Sequence, residues 1–540
     1  MDILESSVIK DVEKEIITSS LKIENISGGL GINGVIRNVG VADISDITLN
    51  IDSTGGLLIK PKSKYYEIPL LHAGESTKIK IKIFGIGLGI ITTIPEIKIT
   101  VNSPYTNKNE IEIVAKILGP FAKIIGVFFN DNNSFDGYTL FSPEYSTNTY
   151  LINNSGEIVH MWEGSYIQGL GLNIMENGNL LRTALIFNPF FIAGGVTGRV
   201  EMFDWNGTLV WEFEYSNDQY CIHHDLEILP NGNILMIAWE YKTIEEAIDA
   251  GRNPDSIPTG KLWPDHIIEV EPTGSYGGNI VWEWHVWDHL VQDFDPEKDN
   301  YGIVEDYPEL VDINFGIYTG KPGADLNHIN SVDYNEEFDQ ILLSAHNQNE
   351  IWVIDHSTTV EEAAGHSGGN SGKGGDILYR WGNPQVYRAG NDSDQKLFGQ
   401  HDAQWIEPGC PGNGNILIFN NGQGRPDGHY SSVDEIIPPV DSNGNYSYTP
   451  GSAYNPEEPI WIYTAKNPFD FYAGHISGSQ RLPNGNTLIC DGPNGVFFEV
   501  TEEKEIVWKY VNQFPNLVQN QVFNIYRYAP DYPGLNNLFI

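Results

Sequence analysis

Positive charge is scarce in this chain. Lys and Arg total 31 against 72 Asp and Glu, a formal net charge of −41. That argues against a nucleic-acid partner, because phosphate contacts need a basic face. An acidic surface of this kind serves solubility, and salt screens its self-repulsion. Cysteine is scarcer still, confined to Cys221, Cys410 and Cys490. Three cysteines at these spacings make neither a disulfide-dense scaffold nor a zinc motif. A Cys410–Cys490 bridge is conceivable because the two lie in neighbouring repeat units, but three small buried hydrophobes is the stronger reading. Long apolar runs are missing too. The most apolar stretch, IFGIGLGIITTIPEI from Ile83 to Ile97, is short, broken by glycine and flanked by strands. It is no transmembrane helix, and no membrane partner is expected. The first residues, MDILESSVIKDVEKEIITSS, carry no apolar core of a signal peptide. Either the chain is intracellular or a leader is missing; a periplasmic or extracellular setting is the expectation adopted.

Runs with a 3.6-residue period are also few. In their place stand short alternating stretches bounded by Asn-Gly and Pro-Asn-Gly, with 56 Gly, 27 Tyr, 23 Phe and 13 Trp. This reads as an all-β chain. At 540 residues it is too long for one ordinary domain. Residues 1–19 read as an N-terminal extension. Residues 20–122 hold alternating strands with glycine turns and no Trp, and predict a small β-sandwich. The stretches NVGVADISDITLNID and IFGIGLGIITT resemble the short Ig-like modules of bacterial and archaeal extracellular proteins.

From residue 123 to 540 a repeat dominates. Its tail recurs as GEIVHMW from Gly156, GTLVWEF from Gly207, GNIVWEW from Gly278, GDILYRW from Gly375, EPIWIY from Glu458 and KEIVWKY from Lys504. Ahead of the tails stand MENGNLL, LPNGNIL, CPGNGNILI and LPNGNTLI, with NEEFDQILL as a diverged copy. Asn-Gly between apolar alternating runs is the strongest short hairpin signal. Each unit therefore predicts four strands, and six tails predict a six-bladed β-propeller. FNIYRYAPDYPGL, from Phe523, is expected to join the last blade to the first. In the tail alignment Arg380 falls on an outer-strand surface position, and the Trp residues are packing anchors. GGNSGKGGD, from Gly368, lacks the Ser or Thr and the helix of a phosphate loop and reads as a flexible loop.

The strand before each Asn-Gly hairpin lines the channel of a propeller. Aligned there, His224 and His401 coincide, in HHD (His223 to Asp225) and QHD (Gln400 to Asp402). HINSV brings His328 and Asn330 to the same window, and GHISGS adds His475. Five of 14 histidines thus gather on innermost strands. One such histidine is usually a packed core residue; a ring of them reads as a site. A zinc or copper site is one chemistry for imidazoles, though the spacings match no ligand motif. A nucleophilic histidine assisted by neighbouring donors is the other.

HHDLEILPNGNIL, HINSVDYN, ILLSAHNQNEIWVIDHST, LYRWGNPQVY and FGQHDAQW together resemble the bacterial arylsulfate sulfotransferases over roughly residues 125 to 535. The resemblance implies a six-bladed propeller with a small N-terminal β domain. It also implies transfer of a sulfuryl group from an aryl sulfate donor to a phenolic acceptor without the nucleotide sulfate donor. His401 matches the histidine that is transiently sulfated. His328 and Asn330 match the H-x-N pair. His224 matches a further catalytic position, with His223 the alternative. Where the family has Arg, this chain has His346, and an imidazole lacks the fixed donor fork of a guanidinium. His224 or His328 is then the acid–base, and Asn330, His346, His223 and His475 are expected around the substrate. No cofactor is expected, since there is no dinucleotide fingerprint. Related propellers pair, so a homodimer stays open. Two other readings remain: a sulfate-ester hydrolase at the same site, and a non-catalytic propeller that binds an anion.

Overall fold

The computed structural model describes residues 20–88, 93–257, 259–315, 323–516 and 519–539. The extension read at residues 1–19, and residues 89–92 of the apolar stretch, lie outside them. The chain is all-β and divides into two compact units, Met1–Phe128 and Phe129–Ile540. Among the described residues no helix is long and apolar enough to cross a membrane.

In the first unit, Leu21–Ser27, Ile32–Asn38 and Ser76–Ile81 form one antiparallel sheet. Asn109–Gly119, Glu96–Asn102, Ile44–Thr54 and Ser63–Leu71 lie side by side in another. Period-2 alternation decides which face is dry. Ile47, Leu49 and Ile51 are buried on one strand, as are Ile97, Ile99 and Val101 on its neighbour.

In the second unit the strands pair in the order in which they occur. Tyr220–Ile228, Ile234–Glu240, Asp265–Pro272 and Gly278–His285 make one four-stranded antiparallel sheet. Equivalent sheets begin at Gln168–Ile174, Ile329–Asn335 and His401–Trp405, and a similar meander starts at Gly478–Arg481. The C-terminal strand Val522–Tyr528 pairs with Tyr138–Pro143 and so completes the sheet that the N-terminal end of this unit begins. The first strands are neighbours in a cycle. Gln168–Ile174 lies beside Tyr220–Ile228, then come Ile329–Asn335, His401–Trp405, Gly478–Arg481 and Val522–Tyr528, which returns to Gln168–Ile174.

The Asn-Gly-Asn repeat has two tasks. Gly232 and Gly485 turn the hairpins at φ +86° and +89°, where a side chain would be strained. The second Asn then reaches the third strand of its own sheet. Asn233, Asn415 and Asn486 donate to Oε1 of Glu269, Glu435 and Glu499 at 2.5, 2.6 and 2.6 Å. The other oxygen of each carboxylate takes a cationic or imidazole group from the following sheet. Arg481 meets Glu435 at 2.6 Å, Arg527 meets Glu499 at 2.5 Å, and His356 meets Glu269 at 3.0 Å. One glutamate thus locks a hairpin and the next sheet at once.

One expectation is corrected here. Arg380 is not a surface residue: it is fully buried, with Nη2 2.5 Å from Glu350 and Nη1 donating to the carbonyls of Pro308 and Leu310 at 3.0 and 2.9 Å. The insertion that follows Gly278–His285 supplies those carbonyls, so this outer strand is covered. Cys410 and Cys490 form no bridge; Cys410 is half-buried, Cys490 and Cys221 are buried, and all three are free thiols.

His356 also lies 2.7 Å from Asp339. Burial opposes a charged ring, but the hydrogen bonds to Asp339 and Glu269 outweigh it and raise the His356 pKa to about 9. An unfolded histidine titrates near 6.5. The clamp therefore contributes fully below pH 6.5, down to where the carboxylates protonate, and is lost as pH rises through 9. His356→Gln is expected to cost about 3 kcal/mol at pH 6. Denaturant titration should show the gap between variant and wild type closing toward pH 10.

Candidate active site

Four histidine rings meet at one end of the cycle of first strands. His224 and His328 have ring centroids 4.6 Å apart, His328 and His346 5.2 Å, and His346 and His401 5.3 Å. His401 opens its strand, His328 immediately precedes one, and His346 follows the second strand Gln340–Ala345, which runs the opposite way. Each therefore falls at the same edge of its sheet.

Backbone irregularity aims the rings. Register shifts interrupt the pairing of the first strands between Ile222 and Leu226, Ile329 and Val332, and His401 and Gln404. His224, His328 and Asp402 take φ of +54°, +54° and +51°. Such conformations cost roughly 1–3 kcal/mol each and concentrate at functional sites. At His224 the left-handed residue brings two consecutive imidazoles together, with His223 Nδ1 2.7 Å from His224 Nδ1. Gly195 lies so close to His224 that a Cβ there would overlap the ring, and its own φ is +88°.

The tautomer of His401 can be deduced. Asn421 Nδ2 donates to the carbonyls of Ala473 and Ile476 at 2.7 and 2.8 Å, which fixes the amide with Oδ1 toward His401. That oxygen only accepts, and His401 Nδ1 lies 2.8 Å from it. Nδ1 therefore carries the proton and Nε2 keeps its lone pair. Burial pushes the His401 pKa down to about 3 against the pull of Asn421, so the ring is neutral at pH 7. Burial also holds His224 and His223 well below the ordinary histidine range, with His328 adding to both shifts.

His328 is held differently. Its Nδ1 lies 2.5 Å from Asp325 Oδ2, and Trp239 Nε1 donates to the other carboxylate oxygen at 3.1 Å. The pair fixes the ring with Nδ1 on the carboxylate and Nε2 turned away from it. His223 sits behind His224, stacked 3.8 Å from Trp239 with Nε2 2.7 Å from Asp265. Of the adjacent pair, His224 faces the other site histidines.

The remaining expected residues separate. Asn330 is buried behind His401, with Nδ2 donating to the Gln400 carbonyl at 2.8 Å. His475 is exposed and stands ahead of the strand Gly478–Arg481, close enough to His401 to depress its pKa. Asn421, Asp325 and Asp265 were not anticipated from the sequence. Neither was Phe523, whose ring lies 6.1 Å from His401 and 6.0 Å from His224. One signal was available: Asn421 follows the second strand Ile416–Asn420 as His346 follows Gln340–Ala345.

The surroundings also soften the acidity of the chain. Burial raises Asp402 to about 8 and Asp225 to about 7, so neither is a full anion at neutral pH. The arrangement offers a neutral imidazole nucleophile, an Asp-supported imidazole beside it and flanking aromatic rings.

Similar solved structures include a protein of unknown function from Bacteroides caccae, at 11% identity and TM-score 0.39, covering 72% of this chain and 98% of that one. Others are the Dos1 propeller, at 9% identity and TM-score 0.30 over 72% and 76%, and Kuenenia stuttgartiensis hydrazine synthase, at 9% and 0.31 over 81% and 100%. Likeness at this level says nothing of activity. No curated protein matches the chain. The arylsulfotransferase (ASST) family matches residues 109–527, well over half of the length. The chain belongs to the arylsulfotransferase family.

Proposed function

We propose that this protein is a ping-pong aryl sulfotransferase in which His401 carries the sulfuryl group. The observation that carries the reading is the fixed tautomer. Asn421 holds the Nδ1 proton of a buried, neutral His401, which leaves Nε2 as a nucleophile. Nε2 attacks the sulfur of an aryl sulfate, the N–S bond forms and the bond from sulfur to the aryl oxygen breaks. The His401 ring gains positive charge as it does so, and the Asn421 oxygen on Nδ1–H offsets it. His328, oriented by Asp325 through Nδ1, is the general acid: when doubly protonated it gives its Nε2 proton to the departing phenolate. In the second half, an acceptor phenol returns that proton to His328 and attacks the sulfur, which frees His401. His224 and His346 flank the transferring group, and Phe523 borders the aryl ring.

In this reading Asn330 positions the backbone of His401, while His223 and Asp265 fix His224 from behind. The cycle of first strands is the channel of a six-bladed propeller, closed by Val522–Tyr528, and an Ig-like sandwich precedes it.

Para-nitrophenol release from para-nitrophenyl sulfate is expected to rise with added phenol, and His401→Asn is expected to abolish it. Release that is unaffected by His401→Asn would overturn the reading. Release that phenol does not accelerate would assign the site to hydrolysis. Asn421→Asp tests the positioning role. A carboxylate on Nδ1 raises the His401 pKa above its value of about 3, so the acid limb of kcat/KM moves upward into the measurable range. An unchanged pH profile would deny Asn421 that role. His346→Arg restores a donor fork for sulfate oxygens, and KM for the donor is expected to fall about tenfold, about 1.4 kcal/mol.

A further inference from the structure

A second cluster of ligating groups lies outside the site just described, where two insertions meet. His289 follows the short turn Val286–Asp288 and is fully buried. Its Nε2 lies 2.8 Å from the carbonyl oxygen of Ala363. A carbonyl only accepts, so Nε2 carries a proton, and in the neutral ring Nδ1 holds a lone pair. That nitrogen lies 2.9 Å from Oδ1 of the buried Asp376, which is 87 residues along the chain. The same oxygen is 2.7 Å from Nδ1 of His366, whose side chain is 62% exposed. The three ligand atoms all fall within 4.8 Å of one another.

Two acceptors do not sit face to face without something positive between them. Either a proton lies between Nδ1 and Oδ1 or a cation occupies the point where the three groups converge. The outer partners favour the cation. A metal-ligating histidine characteristically donates its other ring N–H to a carbonyl or carboxylate, which fixes its tautomer. Ala363 supplies that partner. Trp284 holds the ring in place: it stacks 5.6 Å from His289 at 10° and donates to the Gly375 carbonyl at 2.7 Å. Close packing requires glycine at 375, because a Cβ there would come within 2.6 Å of His289 Nε2.

We propose that His289, His366 and Asp376 bind a divalent first-row metal, zinc fitting best, through two imidazole nitrogens and one carboxylate oxygen. No thiolate is present to favour a softer ion, and imidazole with carboxylate suits zinc. Zinc sits about 2.0–2.2 Å from such ligands, which demands that the three atoms move apart by less than about 1 Å. The exposed edge at His366 leaves the fourth position to water. The ion would pin the insertion carrying His366 and Asp376 to the one carrying His289. It is separate from the ring of His224, His328, His346 and His401, and its role is structural.

The test uses the full chain, stripped with chelator and titrated with Zn²⁺ by equilibrium dialysis, and with Co²⁺ by visible absorption. One equivalent is expected to bind, and the Co²⁺ form should show the intense bands of a tetrahedral site. His366→Ala removes an exposed ligand without touching the core. It is expected to weaken binding by at least the roughly tenfold to hundredfold seen for changes outside the ligand shell. His401→Ala should leave this equivalent in place. Zn²⁺ should raise Tm for wild type and His401→Ala but not for His366→Ala. The proposal falls if micromolar Zn²⁺ does not bind, or if His401→Ala rather than His366→Ala removes the bound ion. In the first case a proton, not a metal, bridges His289 and Asp376.

Discussion

The first strand of each sheet in the second unit has one edge with no strand beside it in its own sheet. Its backbone N–H groups are buried there and must find acceptors. Side chains of the neighbouring first strands meet that need. Asp333 accepts from the Trp405 amide at 2.6 Å, Asp402 from the Ser479 amide at 2.6 Å, and Gln480 from the Arg527 amide at 2.7 Å. Ser331 serves Ala403 at 3.0 Å, and Asn524 returns to Asp402 at 2.7 Å. Across these junctions each sheet completes the one beside it. The third-strand glutamates repeat the principle further out, linking a hairpin to the next sheet. Together the two layers of cross-linking fix the relative height of the first strands. That height decides whether four histidines from different sheets can meet.

With the strands fixed, local strain does the aiming. Positive φ at His224 and His328 and the register shifts beside them depart from regular pairing, and the departures fall at the histidines. Burial then keeps His401 and His224 neutral in a chain of net charge −41. The same burial keeps Asp225 and Asp402 partly protonated. An acidic protein can thus hold a neutral imidazole with a free lone pair without surrounding it with full negative charge.

Much of this was legible in the sequence. Asn-Gly-Asn hairpins and aromatic tails have periodic signatures, so the all-β character and strand order could be read off. The histidines could be aligned because the hairpins supply a ruler. Asn421 was hidden because its role depends on two backbone carbonyls, which carry no side-chain signal. Asp265 and Asp325 were hidden because acids are abundant and their distance to His223 and His328 is set by tertiary structure. Arg380 is hidden for a related reason: its tail position is exposed or half-buried in other sheets, and only the insertion that brings Pro308 and Leu310 over it makes it a core residue.

The amide of Asn421 has a wider consequence. Its two hydrogens are held by Ala473 and Ile476, which bracket the exposed His475 on one short segment. The electronic state of His401 is therefore wired to the position of a surface loop. Any displacement of that segment takes from the amide the partners that orient it. A rotated Asn421 would present its NH₂ to His401, invert the ring's tautomer and place the proton on Nε2. Ring tautomer and segment position are then one mechanical coordinate, with a side-chain amide as the lever.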